Sequence, residues 1–512
     1  MRILFVHQNF PGQYAHLLKH YSCDPANEIV FLTRRANAPF AGIRKVVYRL
    51  GREASPKTHF YVRSIEQAVL HGQAVARAAL RLKKEGFVPD VILGHNAWGE
   101  TLYLKDIFPE APLLAYFEYY YRGSGADIGF DPEFPETLDV RLRVRTLNAV
   151  NLMGLEAADR GQTATAWQHA TYPARYRDMI SVVHEGIDTE RVKPDPEAKL
   201  VLPDGRALTR EDEILTYVAR NLEPYRGFHV FMRALPEIQR RRPKAHAVIV
   251  GGDEVSYGAS PRDGRTWRQT LLAEVGGKLD LSRVHFTGRV PYGTFVNALQ
   301  VSSAHVYLTY PFVLSWSMLD AMAAGCALVA SSTAPVMEVI RDGENGLLVD
   351  FFDAKAIAGK VESILGEPKR HEALQALARQ TMEERFDLKR ICLPRQRGRS
   401  RWSNSSCKRS AAKTQGRTRL WHENSLTPRP PNRTEYDAGL WHLSAIDRRL
   451  FYLIVCILLE GENKLPGTDE TGSLNKTTTR QERVPGIPVA VQLQDIRQER
   501  VSGNSVTVRF ST

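Results

Sequence analysis

Two arginines, Arg220 and Arg226, share a short loop, RNLEPYRG, between an apolar run and a stretch of helical period. Guanidinium forks at the carboxyl end of a strand, beside the N-terminal amides of the next helix, make a diphosphate clamp. Arg226 stands where the helix dipole is positive, a position that disfavours a cation unless an anion joins it. The plainer alternative is a pair of solvated loop arginines. A second stretch with chemistry in it is YPFVLSWSMLDAMAAGCALVAS, residues 310–331. Its first part, Tyr310 to Leu314 and then Trp316, is an apolar loop, and since loops normally lie in water this one is expected to line a pocket. Ser317 and Asp320 have the spacing of a capping box, which would make Asp320 a helix-end residue. The backbone amides of Ser315, Trp316, Ser317 and Met318 would then be free to meet phosphate. Glu118, set among Phe117 and Tyr119 to Tyr121, needs a partner or a ligand. His95 ends a buried run, where a structural hydrogen bond is the plain explanation, and Gly12 in HQNFPGQY suits a tight turn.

The elements that must hold these residues follow from period and composition. Short apolar runs at Arg2–Val6, Ile29–Leu32, Val91–Gly94, Leu113–Phe117 and Met179–Val183 alternate with helical stretches such as Ser64–Lys84. That alternation predicts a parallel sheet covered on both faces, a doubly wound α/β domain over residues 1–195. A polar, turn-rich connection covers 196–212. The alternation restarts at Ile214–Val218 and continues through Ala245–Val250, Val284–Thr287, Ala304–Leu308 and Ala327–Ser331, so a second doubly wound domain spans 213–375. Within it, Phe228, Phe231, Leu235 and Ile238 recur at helical spacing and predict one buried face. Residues 376–395 read as a helical crossover. From Gln396 to Thr512 the period is lost and aliphatics are few, which predicts a tail without a core, either disordered or of non-native coding; residues 441–460 could form one isolated helix.

These segments are similar to the family 4 glycosyltransferases of the GT-B fold. The family frame, a Glu, seven residues and a second Glu within EGFGLPxLEAMAxGxPVVAS, is matched by FVLSWSMLDAMAAGCALVAS, and PEVIxDGxNGLLV by MEVIRDGENGLLV from Met337 to Val349. HEGIDTERVKP at 184–194 resembles the family's crossing segment. The resemblance implies two Rossmann-like domains facing across a cleft, the first on the acceptor side and the second binding the nucleotide sugar. It implies that Arg220 and Arg226 hold the diphosphate, that Gly12 lies near it, and that Asp320 holds the ribose, one methylene short of the family Glu. The other family Glu, which would address the sugar hydroxyls, falls on Phe312, which cannot accept a hydrogen bond. His95 and Glu118 fall where relatives place groups facing the donor sugar. The implied reaction is a retaining, metal-independent transfer from a UDP- or GDP-sugar to a saccharide or lipid-linked acceptor, in which charge developing on the leaving diphosphate is stabilised electrostatically. A sugar-nucleotide epimerase and a nucleotide-binding pseudoenzyme, the latter motivated by Phe312, are the alternatives.

Composition excludes other classes. The chain has 512 residues and a formal net charge of +12. The longest apolar run, Leu450 to Leu459, is half the ~20 residues that span a bilayer. The five cysteines form no CxxC pair, which predicts a reducing, cytoplasmic setting and no structural zinc. The basicity is patchy. Residues 396–512 hold 19 Lys and Arg against 11 Asp and Glu, a net +8, and residues 34–84 hold 12 against 2, a net +10. A local anionic partner is expected, not nucleic acid. The face of Ser64–Lys84 bearing Arg77, Arg81, Lys83 and Lys84 could rest on anionic lipid, or be a solvated face over a buried stripe.

Overall fold

The computed structural model describes residues 1–36 and 39–400; the candidate helix at 441–460 and the rest of the tail from residue 401 lie outside the described residues. Two parallel sheets organise the body. The first has seven strands, β1 (Arg2–Val6), β2 (Glu28–Thr33), β3 (Ile43–Val47), β4 (Val91–His95), β5 (Leu113–Tyr116), β6 (Arg160–Thr163) and β7 (Ile180–Val182), in the order β3-β2-β1-β4-β5-β6-β7. A two-stranded antiparallel hairpin follows, β8 (Leu200–Val201) with β9 (Ala207–Leu208). The second large sheet has six strands, β10 (Ile214–Asn221), β11 (His246–Gly252), β12 (Val284–Gly288), β13 (Ala304–Tyr307), β14 (Ala327–Ser331) and β15 (Leu347–Val349), in the order β12-β11-β10-β13-β14-β15.

Strand geometry sends successive side chains to opposite faces, and both faces of each sheet are packed. In β1, Leu4 and Val6 join Val75, Ala78 and Leu82 of the helix Arg63–Lys84. Ile3 and Phe5 point the other way, to Leu17 and Leu18. In β10, Leu215 and Tyr217 meet Phe231 and Leu235, and Ile214 and Val218 meet Met318 and Met322. The expected face of the helix Phe228–Arg241 is buried, with Phe228, Phe231, Leu235 and Ile238 at most 1% exposed.

Five strands were not expected, β8 and β9 in the connection and three in the large sheets. The edge strand β3, IRKVV, carries basic residues at two of its five positions, and β6, RGQT, has no aliphatic side chain. β15, LLV, is short enough to pass for part of a loop. The connection 196–212 is also less free than its polarity suggests, since Leu200, Leu202 and Leu208 are buried against the second lobe. After the helix Glu372–Arg385 the chain returns to the first lobe. Ile187 pairs with Asp387, and Leu393 packs beside the cluster of Phe5 and Tyr14. The break expected after Arg395 falls inside the helix Leu393–Ser400, where Gln396 is buried and its Nε2 donates to the carbonyl of His184 at 2.9 Å.

Candidate active site

In both sheets the strand order reverses beside the first strand of the lobe, between β1 and β4 and between β10 and β13. Loops leaving the carboxyl ends of such strand pairs cannot pack on each other, so they leave the crevice in which doubly wound folds bind ligands. Every candidate residue except Glu118 lies at the carboxyl end of one of these four strands or in the segment after it, and Glu118 follows neighbouring β5.

On the first lobe the groups form a directed chain. The backbone N–H of Asn9 donates to His7 Nδ1 at 2.8 Å, which places the ring proton on Nε2. That N–H faces the Gln13 side-chain oxygen at 2.6 Å, and Gln13 Nε2 donates to Glu118 Oε1 at 3.3 Å. Gly12 holds the turn: its φ is 56°, and a Cβ there would meet the His7 ring at 2.7 Å. His95 is fully buried and stacks on Trp98 and Tyr116 with ring centroids 4.6 and 5.1 Å away. The Ala97 N–H donates to its Nδ1 at 3.3 Å, so its Nε2 carries the proton and lies 3.7 Å from Glu118 Oε2. Burial, and then the neighbouring His7, hold His95 well below the usual imidazole range. It therefore offers Glu118 a neutral N–H and not an ion pair. Burial, and then the charge of Glu185, push the Glu118 carboxyl up to about 7, against the pull of Arg226 and Arg220.

Those two arginines come from the other lobe and differ in character. Arg220 is exposed, while Arg226 is buried with Nη1 donating to Thr309 Oγ1 and to the Val313 carbonyl, both at 2.9 Å. Arg226 ends a short 3₁₀ turn ahead of Gly227, whose φ of 70° lets the chain enter the helix and whose Cβ would strike Leu308 at 2.3 Å. The cation in this unfavourable place is compensated by oxygen ligands and by the Tyr257 ring, 5.4 Å beneath it. Glu223, in the same loop, accepts the N–H groups of Ser256 and Tyr257 on one oxygen, while its other oxygen is buried without a partner. Burial pushes its carboxyl up to about 7.

The helix carrying Asp320 starts earlier than the capping-box spacing suggests. It runs Trp316–Ala323 with Ser315 as N-cap, so Asp320 is not a capping residue. The amides expected to be free are also largely engaged. Ser315 N–H donates to Tyr307 Oη at 2.9 Å, Ser317 N–H to Ser315 Oγ at 3.3 Å and Met318 N–H to the Ser315 carbonyl at 3.3 Å, which leaves Trp316. Asp320 is 7% exposed and its carboxylate has no hydrogen-bond partner among the described residues. Burial pushes it up to about 7.

Sequence reasoning missed Glu185, which joins the lobes. Its Oε1 accepts the Tyr116 hydroxyl and its Oε2 the Trp316 indole N–H at 3.0 Å. A carboxylate closing the apolar run ISVV was the available signal. Glu338, from MEVI, caps the first lobe's helix Ala166–Thr171 by accepting the N–H groups of Ala166 and Trp167 at 2.8 and 2.7 Å. Farther along, Asp131, Glu133 and His229 bring potential ligand atoms within 4.8 Å of one another. The carboxylates are occupied, Asp131 by Tyr310 and His229 and Glu133 by the Arg233 fork, while His229 Nδ1 is buried without a partner. The group reads as a clasp between lobes.

Comparison with known proteins adds the following. A family model described as the glycosyl transferase family 4 group matches residues 25–192, and one described as glycosyl transferases group 1 matches 204–381. A GDP-mannose-dependent alpha-(1-6)-phosphatidylinositol monomannoside mannosyltransferase of Mycolicibacterium smegmatis is 27% identical over 208 residues, 38% of this chain and 49% of that protein. A D-inositol 3-phosphate glycosyltransferase of Rhodococcus jostii is 28% identical over 204 residues, 39% of this chain and 43% of that protein. The chain thus spans about half the length of the curated relatives it matches or less. Sucrose-phosphate synthase from Thermosynechococcus elongatus has a similar fold, with a TM-score of 0.59 and 18% identity over 79% of this chain and all of that one. Anabaena HepE, solved with UDP-glucose, gives 0.52 and 15% over 81% of this chain and all of that one.

Proposed function

Since the chain belongs to the family 4, group 1 glycosyltransferases, we propose that it moves a glycosyl group from a nucleoside diphosphate donor to a saccharide or lipid-linked acceptor in building a cell-surface polysaccharide or glycolipid. The observation that carries this reading is the meeting of the two switch-point loops, with buried Arg226 and exposed Arg220 acting electrostatically on Glu118 of the opposite lobe. The second lobe binds the donor: the arginines hold the diphosphate, Asp320 offers an unpartnered carboxylate to ribose hydroxyls, and Trp316, Ser315, Ser317 and Met318 frame the helix end. Glu118, with its carboxyl near 7, hydrogen-bonds a hydroxyl at the reacting end, held in place by Gln13, with His95 Nε2 3.7 Å away. In a retaining transfer the departing phosphate oxygen takes the acceptor proton on the same face. The arginines then supply the stabilisation that grows as charge moves onto the diphosphate, the term usually largest in such catalysis.

Calorimetric titration with UDP, GDP and dTDP, followed by turnover of the matching nucleotide sugars, tests this. One nucleoside diphosphate is expected to bind and one of its sugars to be transferred. Binding with no turnover of any donor would favour the pseudoenzyme, and no binding at all would remove the donor site.

For the acceptor, the relatives named for inositol-containing substrates support a phospho-polyol or its lipid. We place the reaction on the cytoplasmic face of an anionic membrane. No helix among the described residues is long and apolar enough to cross one. On the helix Arg63–Lys84, Val75 and Leu82 are buried, whereas Val69 and Leu80 are exposed on the same surface as Arg77 and line a shallow groove with Tyr103 and Ile107. Each Lys or Arg at an anionic surface contributes roughly 1 kcal/mol. Changing Arg77, Arg81, Lys83 and Lys84 together to Glu in the full chain is expected to reduce sedimentation with phosphatidylserine vesicles at low salt and to spare nucleotide binding. Equal sedimentation of variant and wild type would assign the patch to solvent.

A further inference from the structure

The group attached to the donor's diphosphate, on the transferase reading, meets a wall made mainly of aromatic rings. Phe312 is 5% exposed, and its ring centroid lies 4.8 Å from Tyr119, 5.5 Å from Tyr225 and 4.9 Å from Tyr257, each in an edge or tilted arrangement. The position of this cluster is set by its neighbours. Arg226 bonds the carbonyl of Val313, the residue after Phe312, and lies over the Tyr257 ring. Tyr119 follows Glu118 in the chain. The Phe312–Tyr119 contact therefore spans from the phosphate clamp of one lobe to the carboxyl of the other, the path a glycosyl group must occupy.

Two of the three tyrosine hydroxyls of this wall are already used. Tyr119 donates to one oxygen of Asp127 at 2.8 Å and Tyr225 to the other at 3.0 Å, and Asp127 is 4% exposed. The Tyr257 ring lies under the Arg226 guanidinium, its centroid 5.4 Å away. What Phe312 and these rings turn toward a ligand is mainly ring carbon. A sugar hydroxyl pressed against it surrenders its water and finds no acceptor, a cost that a C–H group does not bear. A C–H-rich sugar face gains dispersion and burial there instead.

We infer that Phe312, Tyr119, Tyr225 and Tyr257 are specificity-determining, and that they select a donor whose glycosyl group is poorer in hydroxyls than an ordinary hexose, of the deoxysugar or pentose class. This rests on the transferase reading above, and the test separates the two. Affinities are measured by calorimetry within pairs that share a base: UDP-glucose with UDP-xylose, GDP-mannose with GDP-rhamnose, and dTDP-glucose with dTDP-rhamnose. In the pair whose nucleoside diphosphate binds, the sugar with fewer hydroxyls is expected to bind about tenfold tighter, the scale of one unpaired buried hydroxyl. Phe312→Glu restores an acceptor and should reverse that preference, while Phe312→Leu keeps the wall apolar and should preserve it. Retained affinity for the bare nucleoside diphosphate shows that each variant is folded at its clamp. Equal or tighter binding of the fully hydroxylated sugar to wild type overturns the inference and leaves the transferase reading standing. Failure of every nucleoside diphosphate to bind overturns both.

Discussion

Replacing Arg226 with alanine should weaken binding of the nucleoside diphosphate by about 1.5–3 kcal/mol, the range for hydrogen bonds to a charged group. Arg220→Ala should fall in the same range, but the two variants should differ in stability. Arg220 is exposed with no side-chain hydrogen bond among the described residues, so its loss removes only an electrostatic contact with the ligand. Arg226 also ties Thr309 and the Val313 carbonyl to the 3₁₀ turn of the clamp loop. Its removal leaves that carbonyl and hydroxyl buried without a partner, so the thermal midpoint should drop in Arg226→Ala and stay put in Arg220→Ala. Arg226→Lys should recover only part of the affinity, because a single ammonium cannot hold two protein oxygens and a phosphate with the geometry of a fork. Calorimetry on the three variants decides the point, and unchanged affinity in both alanine variants would remove the clamp.

The setting of the two arginines was readable in the sequence because it is local: strand, loop and helix are contiguous, and two arginines in eight residues stand out. The alternation of apolar runs and helical periods made both doubly wound lobes readable for the same reason. β6 escaped because no part of RGQT is apolar; it forms because Leu114 to Tyr116 on one side and Ile180 to Val182 on the other leave a register to fill. The site's second half was not legible. Glu185 reaches Trp316, Asp127 reaches Tyr225 and Glu338 reaches the helix at Ala166, each across more than 90 residues of chain. No periodicity records a contact between lobes. The N-cap at Ser315 was missed on a narrower ground, because Ser317 with Asp320 has better capping-box chemistry than Ser315 with Met318. The helix starts earlier because the Tyr307 hydroxyl fixes the Ser315 amide.

A carboxylate behind the site carries the other large effect. Glu100 is fully buried in the first lobe; its Oε1 accepts the Tyr48 hydroxyl at 3.0 Å, and its Oε2 has no partner. Tyr48 Oη also lies 3.0 Å from His71 Nδ1, and that nitrogen is 3.8 Å from Glu100. Burial pushes Glu100 up to about 7, against the N–H of Gln8, the Tyr48 hydroxyl and the more distant Arg34. Burial pushes His71 the other way, to about 4. The signs of the two contributions differ. A carboxyl raised in the folded state favours folding at low pH, and its contribution is lost as pH rises from the ordinary carboxyl range to about 7. A lowered imidazole favours folding at neutral pH, and its contribution is lost as pH falls from about 6.5 to about 4. Above pH 6.5 only the carboxyl slope remains. In Glu100→Gln that slope should vanish, so that relative to wild type the variant is more stable at pH 8 than at pH 5 by up to about 3 kcal/mol, at 1.36 kcal/mol per decade. The same loss or gain at both values, read from urea unfolding, would mean that the carboxyl does not titrate in this window.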